Sequence, residues 1–143
     1  MTECIFCAIA RGEAERSLVH EDDDLVVVMD IQPVNPGHAL VLPKEHARRV
    51  AELDDSALAR LFVAAARTAA ALRASSVRCE GVNLFIADGE AAGQEVDHVH
   101  VHVVPRFEGD PFRIEREGGW EERPRGELDD AARSLRSAWE PAG

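Results

Sequence analysis

Basic residues are in short supply in this chain: 16 lysines and arginines stand against 27 aspartates and glutamates, a formal net charge of -11. With no cationic surplus to neutralise a phosphate backbone, nonspecific nucleic-acid binding is excluded as the main role, although local donors can still hold a single nucleotide. Long hydrophobic runs are missing too. The apolar stretch near the start, Cys4 to Ala10, is far shorter than a bilayer span and has no basic segment before it, so no membrane anchor or secretory leader is expected. Cysteine is scarce. Three cysteines, two of them paired as Cys4-x-x-Cys7, make a poor disulfide framework but suit a metal half-site in a reducing cytoplasm, with Cys79 left over as a small packing residue. There is also no internal repeat, and 143 residues with 45% hydrophobic content read as a single domain, 1–143, with enough apolar mass for a core.

What the sequence does carry is a series of short elements. Ser17 to His20 and Leu25 to Ile31 read as strands around the acidic turn Glu21-Asp22-Asp23-Asp24, with Val26, Val27 and Val28 supplying β-propensity. Past the turn-rich Gln32-Pro33-Val34-Asn35-Pro36-Gly37, His38 to Leu42 forms a third strand ended by Pro43. From Asp54 or Asp55 as N-cap to Arg73, Leu58, Leu61, Phe62, Ala65, Ala69 and Leu72 recur at helical spacing. Val82 to Ala87 is a fourth strand, Asp88 to Gln94 a loop, and Val96 to Val104 a fifth strand, antiparallel to the fourth and closed by Pro105. Beyond a core region of residues 1–106, the segment 107–143 is rich in glycine, proline and charge up to Gly126. Leu128, Ala132, Leu135 and Trp139 then mark a short amphipathic helix.

In the fifth strand His98, His100 and His102 alternate with Val99, Val101 and Val103, so half of the six histidines share one face and the valines take the other. Same-face neighbours lie roughly 7 Å apart at Cα, which lets one phosphate or one metal touch two imidazoles. A half-buried strand with a polar face explains one histidine more readily than three beside a glycine-containing loop. Gly89 and Gly93 permit backbone conformations that turn several N–H groups to one point, an anion nest. A neutral imidazole, with a pKa of about 6.5, can attack phosphorus and form a labile phospho-imidazole that water cleaves. His100, flanked on its face by two others, is the expected nucleophile. His102 is the expected donor to phosphate oxygens, and His38 can supply a further hydrogen bond.

The His-x-His-x-His run followed by hydrophobic residues resembles the signature of the histidine-triad (HIT) nucleotide-binding proteins. The likeness extends to Asp30-Ile31, Pro36-Gly37-His38, Leu42-Pro43-Lys44-Glu45-His46, Asn83, Gly89, Ala92-Gly93-Gln94 and Val104-Pro105-Arg106. It implies an α+β fold, the HIT fold, with a five-stranded antiparallel sheet, one long central helix and a short C-terminal helix. It also implies a homodimer around the central helix and hydrolysis or transfer at the α-phosphate of a purine nucleotide such as an AMP or GMP conjugate, with His100 covalently nucleotidylated. Asp30 would hold ribose hydroxyls, Ile31 would pack near the base, and Gly93, Gln94 and Glu95 would surround the phosphate, with Asn83 also in the nucleotide-binding set. Taken alone, Asp30 reads as a turn-capping aspartate.

Cys4 and Cys7 resemble the zinc half-site of a bacterial-type subset of the family, completed there by the equivalents of His46 and His98. Two thiolates and two neutral imidazoles form the closed tetrahedral set of a structural Zn2+, although a metal-free cysteine pair stays open on the residues alone. With zinc, His98 is an anchor, His100 the nucleophile and His102 the phosphate contact.

Two positions depart from the family pattern. Ala87 stands where many members place an asparagine that helps hold the nucleotide, and Glu95 stands where a serine or threonine often donates to the phosphate. A carboxylate beside a bound phosphate repels it unless it turns away, is protonated, or meets a cationic leaving group such as a lysine-derived amine. The expected activity is nucleotide hydrolysis of the phosphoramidase type. The alternatives are dinucleoside polyphosphate hydrolysis and a non-catalytic, zinc-stabilised nucleotide-binding module.

Overall fold

Strands β1 (Leu18–Glu21), β2 (Leu25–Met29), β3 (Ala39–Pro43), β4 (Gly81–Phe85) and β5 (Val101–Arg106) form one antiparallel sheet in the order β1-β2-β3-β5-β4. The structure, a computed structural model, describes residues 3–140. Residues 1–2 and 141–143 of the expected domain lie outside the described residues. Strands β2 and β3 are apolar without interruption because both faces of the sheet are covered there. Leu25, Val27, Ala39, Val41, Val101 and Val103 face one core, while Val26, Val28, Leu40 and Leu42 face a second core with Phe6, Ile9 and Ala10.

The first core is closed by α2 (Asp55–Ala74), which lies across β5 and β3. Asp54 is its N-cap, its carboxylate accepting from the Ala57 N–H at 2.8 Å, and Leu61, Ala65 and Leu72 form the buried stripe. The second core is closed by α1 (Ile5–Ala10), which the sequence pattern does not reveal, since six residues are too few to show a helical period. The described helices include none long and apolar enough to cross a membrane.

Several expected boundaries move, each for a local reason. The fifth strand begins at Val101 rather than Val96, so His98 and His100 precede the ladder instead of standing in it. Pairing with β3 starts at Val41 opposite Val101, and before that point the Val99 N–H donates to the Ala47 carbonyl at 2.8 Å. Pro105 does not close the strand. It lies inside β5 opposite Val82, where β3 has already stopped pairing at Val103 and the side-chain amide of Asn35 takes the Pro105 carbonyl at 3.0 Å. Likewise β2 ends at Met29, two residues early, because the Asp30 carboxylate accepts from the Gln32 N–H at 2.8 Å and turns the chain. The fourth strand ends at Phe85 rather than Ala87.

The chain divides into two compact units, the first ending at Pro111 and the second beginning at Phe112, whereas the sequence suggested a change of character after Arg106. Residues 107–110 belong with the first unit because Asp110, 1% exposed, pairs with Arg106 through two contacts of 2.7 and 2.8 Å and accepts from Asn35 at 2.8 Å. The Arg106 guanidinium, helped by Asn35, holds the Asp110 carboxyl well below the usual carboxylate range. The second unit carries α3 (Arg125–Ala138), with Glu127 in its first turn and Arg136 in its last, both signs matching the helix dipole.

Two substitutions test this packing by chemical denaturation. Leu61→Ala removes a side chain that is 1% exposed and is expected to lower stability by about 2–5 kcal/mol. Asp54→Ala removes only a cap and should cost about 1 kcal/mol. Unmoved midpoints for Leu61→Ala would show that α2 does not close the core as described.

Candidate active site

The alternation that places valines on the α2 side sends His98, His100 and His102 to the α1 side of the sheet. His98, His100 and the nearby His38 are buried, and His102 is partly so. Each ring then has its tautomer set by the partners it finds. His98 Nε2–H donates to the Pro43 carbonyl at 2.8 Å, which leaves its Nδ1 lone pair free. His100 Nδ1–H donates to the His98 carbonyl at 2.7 Å, which leaves its Nε2 lone pair free. The Val34 N–H donates to His38 Nδ1 at 3.0 Å, so His38 carries its proton on Nε2 and donates to His102 Nδ1 at 3.0 Å. His102 therefore presents Nε2–H as a donor. Three similar imidazoles thus differ: His98 and His100 each present an unprotonated nitrogen, and His102 presents an N–H.

Burial, ahead of every other influence, pushes the pKa of His38, His98, His100 and His102 down, with His102 lowered to about 4. The rings are thus neutral, which is what a nucleophilic nitrogen requires. Two aromatic neighbours complete the surroundings of these rings. Phe6 of α1 meets His100 edge-on with centroids 4.9 Å apart, and Phe85 stacks on His102 at 4.6 Å and 16°. The second was accessible to sequence reasoning in principle, because antiparallel pairing of β4 and β5 puts Phe85 opposite His102.

His100 and His102 open onto a cavity of about 670 Å³ whose walls include Phe6, Ile9, Asp30 and Ile31. That volume suits a small-molecule ligand of nucleotide size. Ile31 is 96% exposed at this site, an apolar surface of the kind a planar base can cover. Asp30 serves two ends: one oxygen caps the turn at Gln32, and the other lies 3.6 Å from His38 Nε2, beyond a hydrogen bond but close enough to be felt.

Other expected residues lie elsewhere. Asn83 is not on the cavity wall; its Oδ1 accepts from Arg106 at 2.7 Å, along β4 from Phe85. Gly93 and Gln94 line a neighbouring cavity of about 610 Å³ with Arg48, Arg49 and Asp97, and Glu95 lines both spaces. The anion nest expected of the glycine loop is already engaged internally. Gly89 and Gly93 take positive φ of 101° and 93°, but the N–H groups of Ala92, Gly93 and Gln94 bond to the carbonyls of Gly89, Glu90 and Gly89. The Gln94 side chain braces the loop as well, accepting from the Gly89 N–H at 2.8 Å and donating to the Arg48 and Val96 carbonyls at 2.9 Å each.

A second cluster stands behind the triad. Cys4, Cys7, His46 and His98 bring one ligand atom each within 4.8 Å of one another. Sulfur–nitrogen separations of 3.2 and 3.5 Å and a His46–His98 nitrogen separation of 3.3 Å are the edges of a tetrahedron with metal–ligand bonds of about 2.0–2.3 Å. Burial, then the adjacent Cys4, push the Cys7 thiol up; the charge of a bound cation would act in the opposite direction. The donor set fits a structural zinc ion, and the Pro43 carbonyl already orients the His98 ring for it.

With this geometry in place, comparison with known proteins is informative. A family model described as HIT domain matches residues 11–109. The crystal structure of SMU.412c from Streptococcus mutans UA159 is 36% identical and superimposes with a TM-score of 0.89, covering 98% of this chain and 87% of that one. A Zn-bound histidine triad family protein from Mycobacterium smegmatis is also 36% identical, with a TM-score of 0.74 over 95% of this chain and 97% of that one. Among curated sequences, adenylylsulfatase HINT3 of Arabidopsis thaliana is 33% identical over 108 residues, 76% of this chain and 54% of that protein.

The depressed histidines bear on stability. An unfolded histidine takes up a proton near pH ~6.5, whereas folded His102 resists it down to about 4 and His38 is shifted the same way. Between those limits the unfolded state binds more protons, so this contribution is fully present above pH ~6.5 and is lost as the pH falls toward 4. Melting temperature should decline across that window, and His102→Asn should make the decline shallower. An identical pH profile for the variant would contradict the assignment.

Proposed function

The chain belongs to the HIT domain family, and from that premise we propose that it hydrolyses purine nucleotide conjugates at the α-phosphate through a nucleotidyl intermediate on His100. One observation carries the reading: the 2.7 Å hydrogen bond from His100 Nδ1 to the His98 carbonyl, which aims the opposite nitrogen, unprotonated, at the cavity. In the first step His100 Nε2 forms a bond to phosphorus while the bond from phosphorus to the leaving group breaks. The released electron pair stays on the leaving nitrogen or oxygen, which takes a proton from water. In the second step water attacks phosphorus and gives its proton to the hydroxide left by the first step, the electron pair returns to Nε2, and the nucleoside monophosphate departs.

His102 serves this reaction as a hydrogen-bond donor to the phosphate oxygens rather than as an acid, because a ring neutral down to about pH 4 has no readily lost proton. Asp30 receives the ribose hydroxyls and Ile31 covers the base. Leaving groups of the phosphoramidate or AMP-ester kind are the preferred class. The same proposal includes a homodimer around α2, whose Phe62 and Val63 are 46% and 51% exposed, in a reducing cytoplasm.

Mass spectrometry of protein quenched during turnover of an adenosine phosphoramidate should show a nucleotidyl adduct on His100. His100→Ala should lose activity by at least ~10³-fold with little change in melting temperature. Retained hydrolysis in that variant would refute the covalent route. Binding of AMP without turnover of phosphoramidates, AMP esters or dinucleoside polyphosphates would instead favour a non-catalytic module.

Zinc belongs to the proposal as a clamp held by Cys4, Cys7, His46 and His98, supplying a fixed geometry and no reacting group. Metal analysis should find one zinc per chain. His98→Ala should lose it and melt earlier, whereas His100→Ala should keep it. A metal-free wild type after expression in zinc-supplemented medium would overturn the clamp.

A further inference from the structure

What departs from the α-phosphate has to leave through the open side of the cavity, and the geometry there is not neutral. Among the described residues, Glu95 is the one that lines both the histidine cavity and the adjoining space of about 610 Å³. That second space has two arginines and three carboxylates on its walls, but they are unequally engaged. Asp97 pairs with both Arg48, at 3.1 Å, and Arg49, at 2.9 Å, and Arg49 also donates to Gln94 at 3.2 Å. The arginines hold the Asp97 carboxyl below its ordinary range, Arg49 first. The side-chain carboxylates of Glu90 and Glu95 make no hydrogen bond or ion pair with any described residue.

The two guanidinium groups share one carboxylate, while the carboxylates of Glu90 and Glu95 have no cation paired to them, so the described walls carry one more negative charge than positive. The loop offers little to offset them, since the N–H groups of Ala92, Gly93 and Gln94 bond within it. An anionic leaving group, such as a further phosphate chain, would enter a space whose free charges repel it. A leaving group that brings its own positive charge would meet Glu95 and relieve the repulsion between that carboxylate and the α-phosphate.

We propose that the space beyond Glu95 receives the leaving group and selects one bearing a cationic centre, with Glu95 as the specificity-determining residue. This rests on the hydrolase reading above and names its substrate class: nucleoside phosphoramidates of amines that carry a second positive charge. The bonds made and broken are those already given, and Glu95 takes no part in proton or phosphoryl transfer.

Three adenosine 5′-phosphoramidates test it, built on 1,4-diaminobutane, 1-butylamine and 4-aminobutanoate. They share the reacting nitrogen and differ only in a remote positive, absent or negative charge. Wild-type kcat/KM should favour the diaminobutane compound over the butylamine compound by roughly fivefold, the scale of one exposed ion pair, with the aminobutanoate compound slowest. Glu95→Gln should bring the three rates together, and Glu95→Asp should retain the order. Equal rates in the wild type, or an unchanged order in Glu95→Gln, would overturn the selectivity while leaving the hydrolase intact. No turnover of any of the three would overturn the selectivity, and the hydrolase reading would fall with it only if AMP esters and dinucleoside polyphosphates were also left intact.

Discussion

The ring of His98 commits its Nε2–H to the Pro43 carbonyl at 2.8 Å, and the rest of the site is arranged around the consequences. A neutral imidazole has one N–H and one lone pair, so committing Nε2 to the end of β3 delivers Nδ1 to the cysteine pair. The ring is fully buried and cannot swing to another partner. Its backbone carbonyl in turn receives the proton of His100 and so determines which nitrogen of that ring faces the cavity. Cys4 and Cys7, the other half of the cluster, bracket the start of α1, whose Phe6 lies against His100. Strand end, cysteine cluster, His100 and cavity wall therefore share one fixed residue.

Burial also answers how four imidazoles can crowd together. Ring centroids 4.8 Å apart for His100 and His102, and 5.2 Å for His38 and His102, would be costly for imidazolium ions. Desolvation keeps the rings neutral, and each neutral ring then offers a lone pair or a proton where a charged one would offer only protons. The overall acidity of the chain, a net charge of -11, favours imidazolium at longer range, so it is burial that keeps these rings neutral.

Much of this was legible in the residues themselves. Period-two alternation is visible to the eye and sends the three histidines to one face whether or not a ladder forms beneath them, which is why the site survived even though β5 starts at Val101. Asp54 and the stripe of Leu61, Ala65 and Leu72 were equally plain. The misreadings concern long-range partners. Nothing adjacent to Pro105 reveals that Asn35, distant in sequence, accommodates a proline inside the ladder. Nothing in a glycine-containing loop reveals that Gln94 and the carbonyls of Gly89 and Glu90 occupy its own N–H groups. Helix α1 is held by contacts with a sheet face rather than by its own pattern.

The alternation of valine and histidine between Val99 and Val103 has a further consequence, one of parity. Side chains in this segment are assigned to faces by counting, with valines sealed against α2 and imidazoles opposite. An insertion or deletion of one residue would invert the assignment downstream, driving imidazoles into an apolar core and valines into the cavity. A change of two would preserve the faces and shift only the spacing. The segment is thus read modulo two, and its length is constrained more tightly than the identity of any single valine within it.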